Sequence, residues 1–395
     1  MNLAIYTLTS ELHDECAVEA ATHEFLDSLD LDYTFKGNRY DDYGSHVLSV
    51  IYVRTGGTEG IFRRLLPRLQ AQSAQPFYLL TSGKSNSLAA SMEILSYLRQ
   101  QGIKGEIIHG SPEHIARRLR LLSVVGEART LLRGMRLGII GEPSDWLIAS
   151  HADAAAVRQR LGIELVSIPM KELLEVIGKQ EPPSPLSAAA QDYLPGAERI
   201  YESLKTIVSR YSLSGFTLRC FDLLTAVHNT GCLALARLNS EGIVAGCEGD
   251  VPAMLSMAVV QALVGVSGFQ ANPASIDPET GRIVMAHCTI PLNMVERYEL
   301  DTHFESGIGV GIRGYMRPGP VTLFKLSGDL KRSFIAEGQL AECQKKPDLC
   351  RTQQVILLSD RGQASYFLSD PIGNHHIVVP GCQGELFSLF TSSLS

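Results

Sequence analysis

Gly242-Ile-Val-Ala-Gly-Cys-Glu-Gly-Asp250 is the stretch from which the rest of the chain can be understood. Residues 243–246 are apolar or small and predict a short buried strand. Glu248 and Asp250 follow this strand with one glycine between them, and a long apolar run with helical spacing begins directly afterwards. Asp250 suits the N-cap of that helix, and Pro252 suits its first turn. The sequence therefore predicts a strand, a turn with two carboxylates, and a helix.

The two carboxylates of this turn are candidates for a functional site. In open α/β sheets, ligands bind at the carboxyl ends of the strands, which is where Glu248 and Asp250 are expected to lie. A carboxylate beside a buried strand and an apolar helix also needs a cation or a proton donor as its partner. The alternative is that both acids only cap the helix. Glu248 fits that alternative less well, because it precedes the cap position and no local residue pairs with it.

Strand and helix patterns on either side of this stretch predict the architecture. Strands alternate with helices from the first residues onwards, and a second series of the same kind opens at residues 135–141. After Gly268, short β-type runs separated by Pro and Gly replace the helices. Within the second series, Glu181-Pro-Pro-Ser-Pro185 predicts an irregular excursion. The predicted class is α/β, with two doubly wound parallel-sheet domains and a β-rich, barrel-like C-terminal domain. The predicted boundaries are 1–134, 135–268 and 269–395.

Composition excludes several classes of protein. Of the 395 residues, 45% are hydrophobic and 19% are charged, which is typical of a globular protein with a large core. The net charge is −7 and no basic run contains interleaved aromatics, which argues against nucleic acid as a partner. No apolar stretch reaches the roughly 18 residues of a membrane span, and the first residues lack the positive segment of a signal peptide. The eight cysteines form no CxxC pair and several lie in apolar runs, which favours reduced thiols in a cytoplasmic protein.

Histidines of the last third of the chain offer metal ligands. His287 lies in an otherwise apolar strand, His303 precedes the glycine-rich segment 307–311, and His375 and His376 are adjacent. Together with Glu248 they form an oxygen and nitrogen ligand set suited to Mn²⁺, Co²⁺, Fe²⁺ or Zn²⁺. A lone histidine in a strand can instead be an ordinary core residue. Neighbours in a strand point to opposite faces, so at most one of the adjacent pair would face a metal.

A family resemblance rests on these residues. Five features carry it, in this order along the chain: Cys247-Glu-Gly-Asp250, a Met- and Leu-rich helix, Ala286-His-Cys288, a histidine before a Gly-x-Gly segment, and a late His-His pair. In this order the chain resembles the L-fucose/L-arabinose isomerase superfamily, in particular its fucose-isomerase-like branch. The resemblance covers nearly the whole chain and is strongest over residues 220–326. Supporting stretches are Asn86-Ser-Leu-Ala-Ala-Ser-Met-Glu93, Gly141-Glu-Pro-Ser-Asp-Trp-Leu-Ile-Ala-Ser150 and Gly319-Pro-Val-Thr-Leu-Phe-Lys-Leu326.

The resemblance implies roles for individual residues. Glu248 would bind a divalent metal, usually Mn²⁺ in this family, and would move a proton between sugar carbons through an enediol. His287 falls at or next to the family's second acidic residue, and a histidine there can bind metal or act as an acid or base. The predicted metal ligands are Glu248, His287, His303 and His376, and the predicted catalytic residues are Glu248 and His287. Trp146, Arg219 and Asp250 are the candidates for substrate contact, with Asp250 alternatively supporting a ligand or capping the helix.

The first functional hypothesis is therefore a cytoplasmic, metal-dependent aldose–ketose isomerase acting on a deoxy sugar, a pentose or a related sugar. The resemblance further implies a homo-trimer or homo-hexamer. Two other hypotheses remain open: a non-catalytic sugar-binding or regulatory relative that keeps the fold, and a metal-dependent lyase or epimerase acting on a modified sugar.

Overall fold

The computed structural model describes residues 2–73, 76–179 and 189–394. The chain divides into two compact units, the first ending at Thr130 and the second beginning at Leu131. The irregular excursion predicted for residues 181–185 lies outside the described residues. Within the described residues, none of the helices combines the length and the apolar character needed to cross a membrane.

The first unit contains a five-stranded parallel sheet in the order β2-β1-β3-β4-β5. Its strands are β1 (Leu3–Leu8), β2 (Thr34–Gly37), β3 (Leu48–Val53), β4 (Phe77–Leu80) and β5 (Gly105–Ile108). The helices that alternate with them are α1 (Glu15–Asp27), α2 (Glu59–Gln72), α3 (Ser87–Gln100) and α4 (Pro112–Leu132). Every residue of β1 and β3 is buried, which explains their continuous apolar sequences at the centre of the sheet.

The second unit opens with a four-stranded parallel sheet in the order β7-β6-β8-β9. Its strands are β6 (Arg136–Ile140), β7 (Glu164–Ile168), β8 (Gly215–Leu218) and β9 (Val244–Cys247). Its helices are α5 (Ala154–Leu161), α6 (Met170–Ile177), α7 (Leu194–Tyr211), α8 (Asp222–Ala226), α9 (Cys232–Ser240) and α10 (Val251–Val264). Strand β8 ends at Leu218, so Arg219 lies directly after its carboxyl end.

A closed antiparallel barrel completes the second unit, which confirms the predicted fold class. Its strands follow one another around the barrel as β10 (Phe269–Asp277), β11 (Arg282–His287), β16 (Thr352–Leu358), β15 (Ser333–Cys343), β14 (Gly319–Leu326) and β17 (His376–Pro380). A separate hairpin pairs β12 (Arg297–Asp301) with β13 (Gly311–Tyr315), and the last helices are α11 (Tyr366–Ser369) and α12 (Gly384–Ser392). The second unit thus holds both sheet and barrel, and the predicted boundary at residue 268 between them stays a prediction.

Helix α10 joins the sheet to the barrel. It packs against β8 and β9 and also against β14 and β17, so most of its residues are fully buried, as its apolar sequence requires. The Gln270 amide strengthens this junction, because its oxygen accepts a hydrogen bond from the Cys247 backbone N–H at 2.9 Å and its nitrogen donates to the Cys247 carbonyl at 3.2 Å. The turn between β9 and α10, which carries Glu248 and Asp250, is therefore held against the rim of the barrel.

Candidate metal centre

Glu248 occupies an unusual backbone conformation. Its φ is +63°, in the left-handed region, and Gly249 follows with φ +74°. For a residue with a Cβ this conformation costs about 1–2 kcal/mol, and such strain is concentrated at functional sites. Two consecutive left-handed residues reverse the chain directly after β9 and direct the Glu248 carboxylate towards the barrel rim, where it is almost completely buried.

Two barrel histidines converge on this carboxylate. His287 is the last residue of β11 and His375 directly precedes β17. His287 Nε2 lies 3.4 Å and His375 Nε2 lies 3.5 Å from the same oxygen, Glu248 Oε1. Ligand atoms of the three residues all fall within 4.8 Å of one another, and all three side chains are buried. Within the described part of the chain, neither Nε2 atom makes a hydrogen bond.

The other ring nitrogen of each histidine, Nδ1, is hydrogen-bonded to a protein side chain. His287 Nδ1 shares a hydrogen bond with the Thr289 hydroxyl at 3.1 Å, and His375 Nδ1 shares one with Asp250 Oδ2 at 2.8 Å. If each ring loses its Nε2 proton to a bound cation and keeps the proton on Nδ1, each Nε2 would offer a lone pair beside Glu248. The partners of Nδ1, a hydroxyl for His287 and a carboxylate for His375, are of the kind that fix the tautomer and ring orientation of metal-binding histidines.

Asp250 uses its two carboxylate oxygens for different contacts in the turn. Its Oδ1 accepts a hydrogen bond from the Ala253 backbone N–H at 2.8 Å, so it is the N-cap of α10 as the sequence predicts. Its Oδ2 lies 2.8 Å from His375 Nδ1 and 3.5 Å from Lys325 Nζ of β14. Asp250 is completely buried and Lys325 is 1% exposed, so these opposite charges lie away from solvent. Asp250 therefore contacts His375 and caps α10, as the alternative prediction for this residue describes, and its role in substrate contact stays a prediction.

Burial and charge act in opposite directions on the pKa values of this cluster. Burial alone would raise the pKa of Glu248, but the imidazoles of His287 and His375 hold that pKa well below its ordinary value. Burial would likewise raise the pKa of Asp250, but Lys325 and His375 lower it to about 2. Burial lowers the pKa of His287, whereas Asp250 and Glu248 overcome burial and raise the pKa of His375 to about 9. Both carboxylates are thus ionised at neutral pH.

The donor set fits a divalent cation. Two buried imidazole nitrogens without a hydrogen bond and one carboxylate oxygen are directed at a common position. Nitrogen and oxygen ligands of this kind suit Mn²⁺, Fe²⁺, Co²⁺ or Zn²⁺. Three protein ligands also leave coordination positions open for other oxygen atoms, as catalytic metal sites require.

The structure corrects the choice within the His375–His376 pair. His376 was predicted as a ligand, but its ring points to the opposite side, as expected for neighbours at the start of a strand. His376 Nε2 is hydrogen-bonded to the Tyr366 hydroxyl at 3.0 Å and its Nδ1 to the Asn374 carbonyl at 3.0 Å. Phe334 and Phe367 pack around the ring. Burial lowers the pKa of His376 to about 3, so this histidine is a neutral core residue.

His303 lies near the cluster but outside it. Its Nδ1 is hydrogen-bonded to the Ser306 hydroxyl at 3.0 Å, and its ring packs edge-on against Phe221. Among the described residues, the group able to hold an ion contains Glu248, His287 and His375 and does not include His303. Burial, followed by the neighbouring His287, lowers the pKa of His303 to about 4. The predicted ligand role of His303 therefore has no support from the positions of its ring atoms.

Trp146 and Arg219 lie beside the cluster in different roles. The indole N–H of Trp146 donates a hydrogen bond to Glu248 Oε2 at 2.8 Å, and the residue is 51% exposed. The Arg219 guanidinium donates four hydrogen bonds to protein acceptors: the Pro143 carbonyl, both carboxylate oxygens of Asp145, and Asp222. Trp146 is thus available at the edge of the site, whereas Arg219 holds the loop that carries it.

Substitution of Gly249 is expected to disturb this turn strongly. A Cβ at Gly249 would lie 2.7 Å from Pro143 Cα and 2.9 Å from the Glu142 carbonyl oxygen, and the left-handed φ adds strain. We expect Gly249→Ala to reduce the free energy of unfolding by about 2 kcal/mol or more. The matched control is Gly265→Ala, because Gly265 has φ +78° but no atom within 4 Å of its Cβ position. Equal losses in the two variants, measured by urea unfolding, would contradict the proposed close approach.

Comparison with known proteins identifies relatives of low identity. No protein-family model matches the chain. A protein named sulfoquinovose isomerase from Clostridium sp. (strain MSTE9) is 25% identical over an alignment of 256 residues, and the match covers 60% of this chain and 56% of that protein. Proteins of the same name from Priestia aryabhattai and Priestia megaterium (strain ATCC 12872 / QMB1551) are 23% identical over an alignment of 263 residues, with 61% of this chain and 59% of each protein covered. The chain therefore spans little more than half the length of these curated relatives.

Proposed function

We propose that the protein is a metal-dependent aldose–ketose isomerase of the fucose/arabinose isomerase type. One observation carries the proposal: two buried imidazole nitrogens without hydrogen bonds lie 3.4 and 3.5 Å from a single carboxylate oxygen of Glu248. Buried polar atoms are normally hydrogen-bonded, so such a group calls for a bound partner. A divalent cation held by Glu248, His287 and His375 satisfies all three side chains at once.

Isomerisation of an aldose requires one hydrogen to move from C2 to C1 and one hydroxyl proton to move from O2 to O1. A divalent cation supplies polarisation of the sugar's carbonyl and hydroxyl oxygens, which makes the C2 hydrogen acidic. In this proposal Glu248 accepts the C2 proton and returns it to C1, because its carboxylate is ionised at neutral pH and lies beside the position proposed for the cation. An imidazole nitrogen that ligates a cation has no lone pair left for a proton. We therefore assign His287 the ligand role rather than the acid–base role.

Substrate recognition is assigned to the exposed edge of the site. Trp146 is half exposed beside Glu248 and presents an aromatic face of the kind that packs against the apolar face of a sugar. The relatives named sulfoquinovose isomerase support a sugar as the substrate class. Following the family resemblance, we propose that the protein is a homo-oligomer. The aldose screen below identifies the individual sugar.

The test is an aldose screen with a defined cation. Purified protein is stripped of metal, loaded with Mn²⁺, and incubated in D₂O with aldohexoses, 6-deoxyaldoses, aldopentoses and sulfoquinovose. We expect ketose formation from at least one aldose, with solvent deuterium incorporated at C1 of the ketose. Sugar binding without ketose formation from any of them would overturn the proposal in favour of a non-catalytic sugar-binding relative. Product release with carbon–carbon cleavage, or an epimer as sole product, would instead identify a lyase or an epimerase.

The adjacent histidines provide a matched pair for the cation site. His375→Gln removes a ligand nitrogen, so we expect the affinity for Mn²⁺ to fall by more than the roughly 10–100-fold typical of a supporting residue. His376→Gln, one position further along the chain, should leave Mn²⁺ affinity essentially unchanged because both its ring nitrogens bind protein groups. Free Mn²⁺ measured by electron paramagnetic resonance gives both affinities. A loss in His376→Gln as large as in His375→Gln would contradict the assignment.

A further inference from the structure

Trp146 lies in the loop between β6 and α5, and its only described hydrogen bond connects it directly to the metal centre. The indole Nε1–H donates to Glu248 Oε2 at 2.8 Å, whereas the other oxygen, Oε1, lies next to His287 and His375. The two oxygens of one carboxylate are thus divided between an indole N–H and a pair of imidazoles. A hydrogen bond to an ionised acceptor is roughly twice as strong as a neutral one.

The loop that carries Trp146 is attached to the turn that carries Glu248. The Ser144 backbone N–H donates to the Glu248 carbonyl at 3.0 Å. Arg219 donates to the Pro143 carbonyl at 2.8 Å and, through two guanidinium nitrogens, to both oxygens of Asp145 at 3.3 and 3.0 Å. Bidentate pairs of this kind fix geometry as well as contributing energy. Backbone and side-chain contacts together therefore set the position of residue 146.

The ring of Trp146 is also oriented by a neighbour. Phe221, two residues beyond Arg219, packs edge-on against the indole with ring centroids 4.8 Å apart and an interplanar angle of 79°. An edge-to-face contact restrains the indole plane and hence the direction of its N–H. The indole is thus restrained by Phe221 and by the attachments of its loop, although half of its surface is exposed.

We propose that Trp146 is a positioning residue that fixes the Glu248 carboxylate, with Arg219 and Asp145 holding the Trp146 loop in place. The terminal torsion of a glutamate is broad, so without a restraint either oxygen could face the histidines. The indole N–H occupies Oε2 and thereby presents Oε1 to the cation. This inference concerns the cation site rather than turnover, so a protein that binds Mn²⁺ but isomerises no sugar would overturn the proposed function and leave this inference standing.

The first measurement uses the fact that Trp146 is the only tryptophan in the chain. Intrinsic tryptophan fluorescence therefore reports on this residue alone. In metal-free protein we expect Glu248→Ala to change the emission intensity and maximum, because the indole loses its charged acceptor. Asp145→Asn should move the emission to longer wavelength as the loop loosens and the ring becomes more hydrated. Emission spectra identical to that of the native protein in both variants would overturn the proposal.

The second measurement tests the consequence for the cation. Trp146→Phe keeps a ring against Phe221 and removes the N–H, so we expect Mn²⁺ affinity to fall roughly 10–100-fold, as for other residues that orient a metal ligand. The matched control is Ile148→Ala in the same loop, because Ile148 is 82% exposed and should not affect the affinity. A merely structural role of Trp146 would lower the melting temperature but not the affinity. Native-like Mn²⁺ affinity in Trp146→Phe, or an absence of Mn²⁺ binding to the native protein, would overturn the proposal.

Discussion

Replacement of Glu248 by glutamine should abolish the proposed isomerase activity while leaving the fold intact. The amide has the same size as the carboxylate and can still accept the Trp146 N–H bond, so the turn keeps its contacts. It cannot, however, accept a proton from a sugar carbon, and it is a poorer ligand for a divalent cation. General acid–base groups alone contribute about 10²–10⁴-fold, so with the weakened cation site we expect a loss of at least about 10³-fold in kcat/KM. Ketose formation and thermal unfolding measured on the same preparation check both parts.

A second glutamate provides the control for Glu248→Gln. Glu241 precedes β9 by a few residues and accepts a hydrogen bond from the Tyr201 hydroxyl at 2.6 Å, away from the histidine cluster. Glu241→Gln should therefore keep full activity. If Glu248→Gln retained more than a tenth of the native activity, Glu248 could not be the group that moves the proton.

The sequence was sufficient to predict the architecture because the patterns of strands and helices depend on residues that are neighbours along the chain. Alternation of strands and helices predicts the parallel sheets, and the change of pattern after Gly268 predicts the barrel, both of which the structure confirms. The N-cap role of Asp250 follows from its position directly before an apolar helix with proline in its first turn, and the Ala253 N–H bond confirms it. Each of these features depends on neighbours along the chain.

The composition of the site was harder to predict because it depends on register. The sequence indicated that at most one of His375 and His376 would face a metal, and the prediction chose His376, whereas the structure places His375 beside Glu248 and His287. The answer depends on how β17 pairs with its neighbour, where His376 lies opposite Ala271 of β10. The left-handed φ of Glu248 could not be inferred either, because glycine, not glutamate, is the usual residue in that conformation.

Lys325 was not among the predicted site residues, although its position in the sequence indicates a buried charge or an exposed strand edge. It is the only charged residue of the otherwise mostly apolar strand Gly319–Leu326. A lysine inside such a strand is expected either at an exposed edge or beside a buried carboxylate. The structure shows the second case, with Asp250 as the carboxylate. The partner is 75 positions away in sequence and belongs to another element, so its identity required the fold.

Asp250→Asn should produce the largest loss of stability of the substitutions considered. Asparagine is as good an N-cap as aspartate, so the cap of α10 is kept. The charge is lost, however, and Lys325 then remains as a buried ammonium group without a counter-ion. Leaving one partner of a buried ion pair alone typically costs about 3–5 kcal/mol. Urea unfolding of metal-free protein, followed by Trp146 fluorescence, measures this loss in the second unit, to which both residues belong.

The double variant Asp250→Asn/Lys325→Met separates the charge effect from the effect on the cation site. Methionine fills much of the space of the lysine stem without a charge, so the double variant should regain much of the stability lost in Asp250→Asn. It should not regain Mn²⁺ affinity, because an amide can donate to His375 Nδ1 as well as accept, and the tautomer that leaves Nε2 free is no longer enforced. Recovery of both properties would mean that Asp250 serves the fold alone. Recovery of neither would mean that Lys325 is not the residue whose charge Asp250 balances.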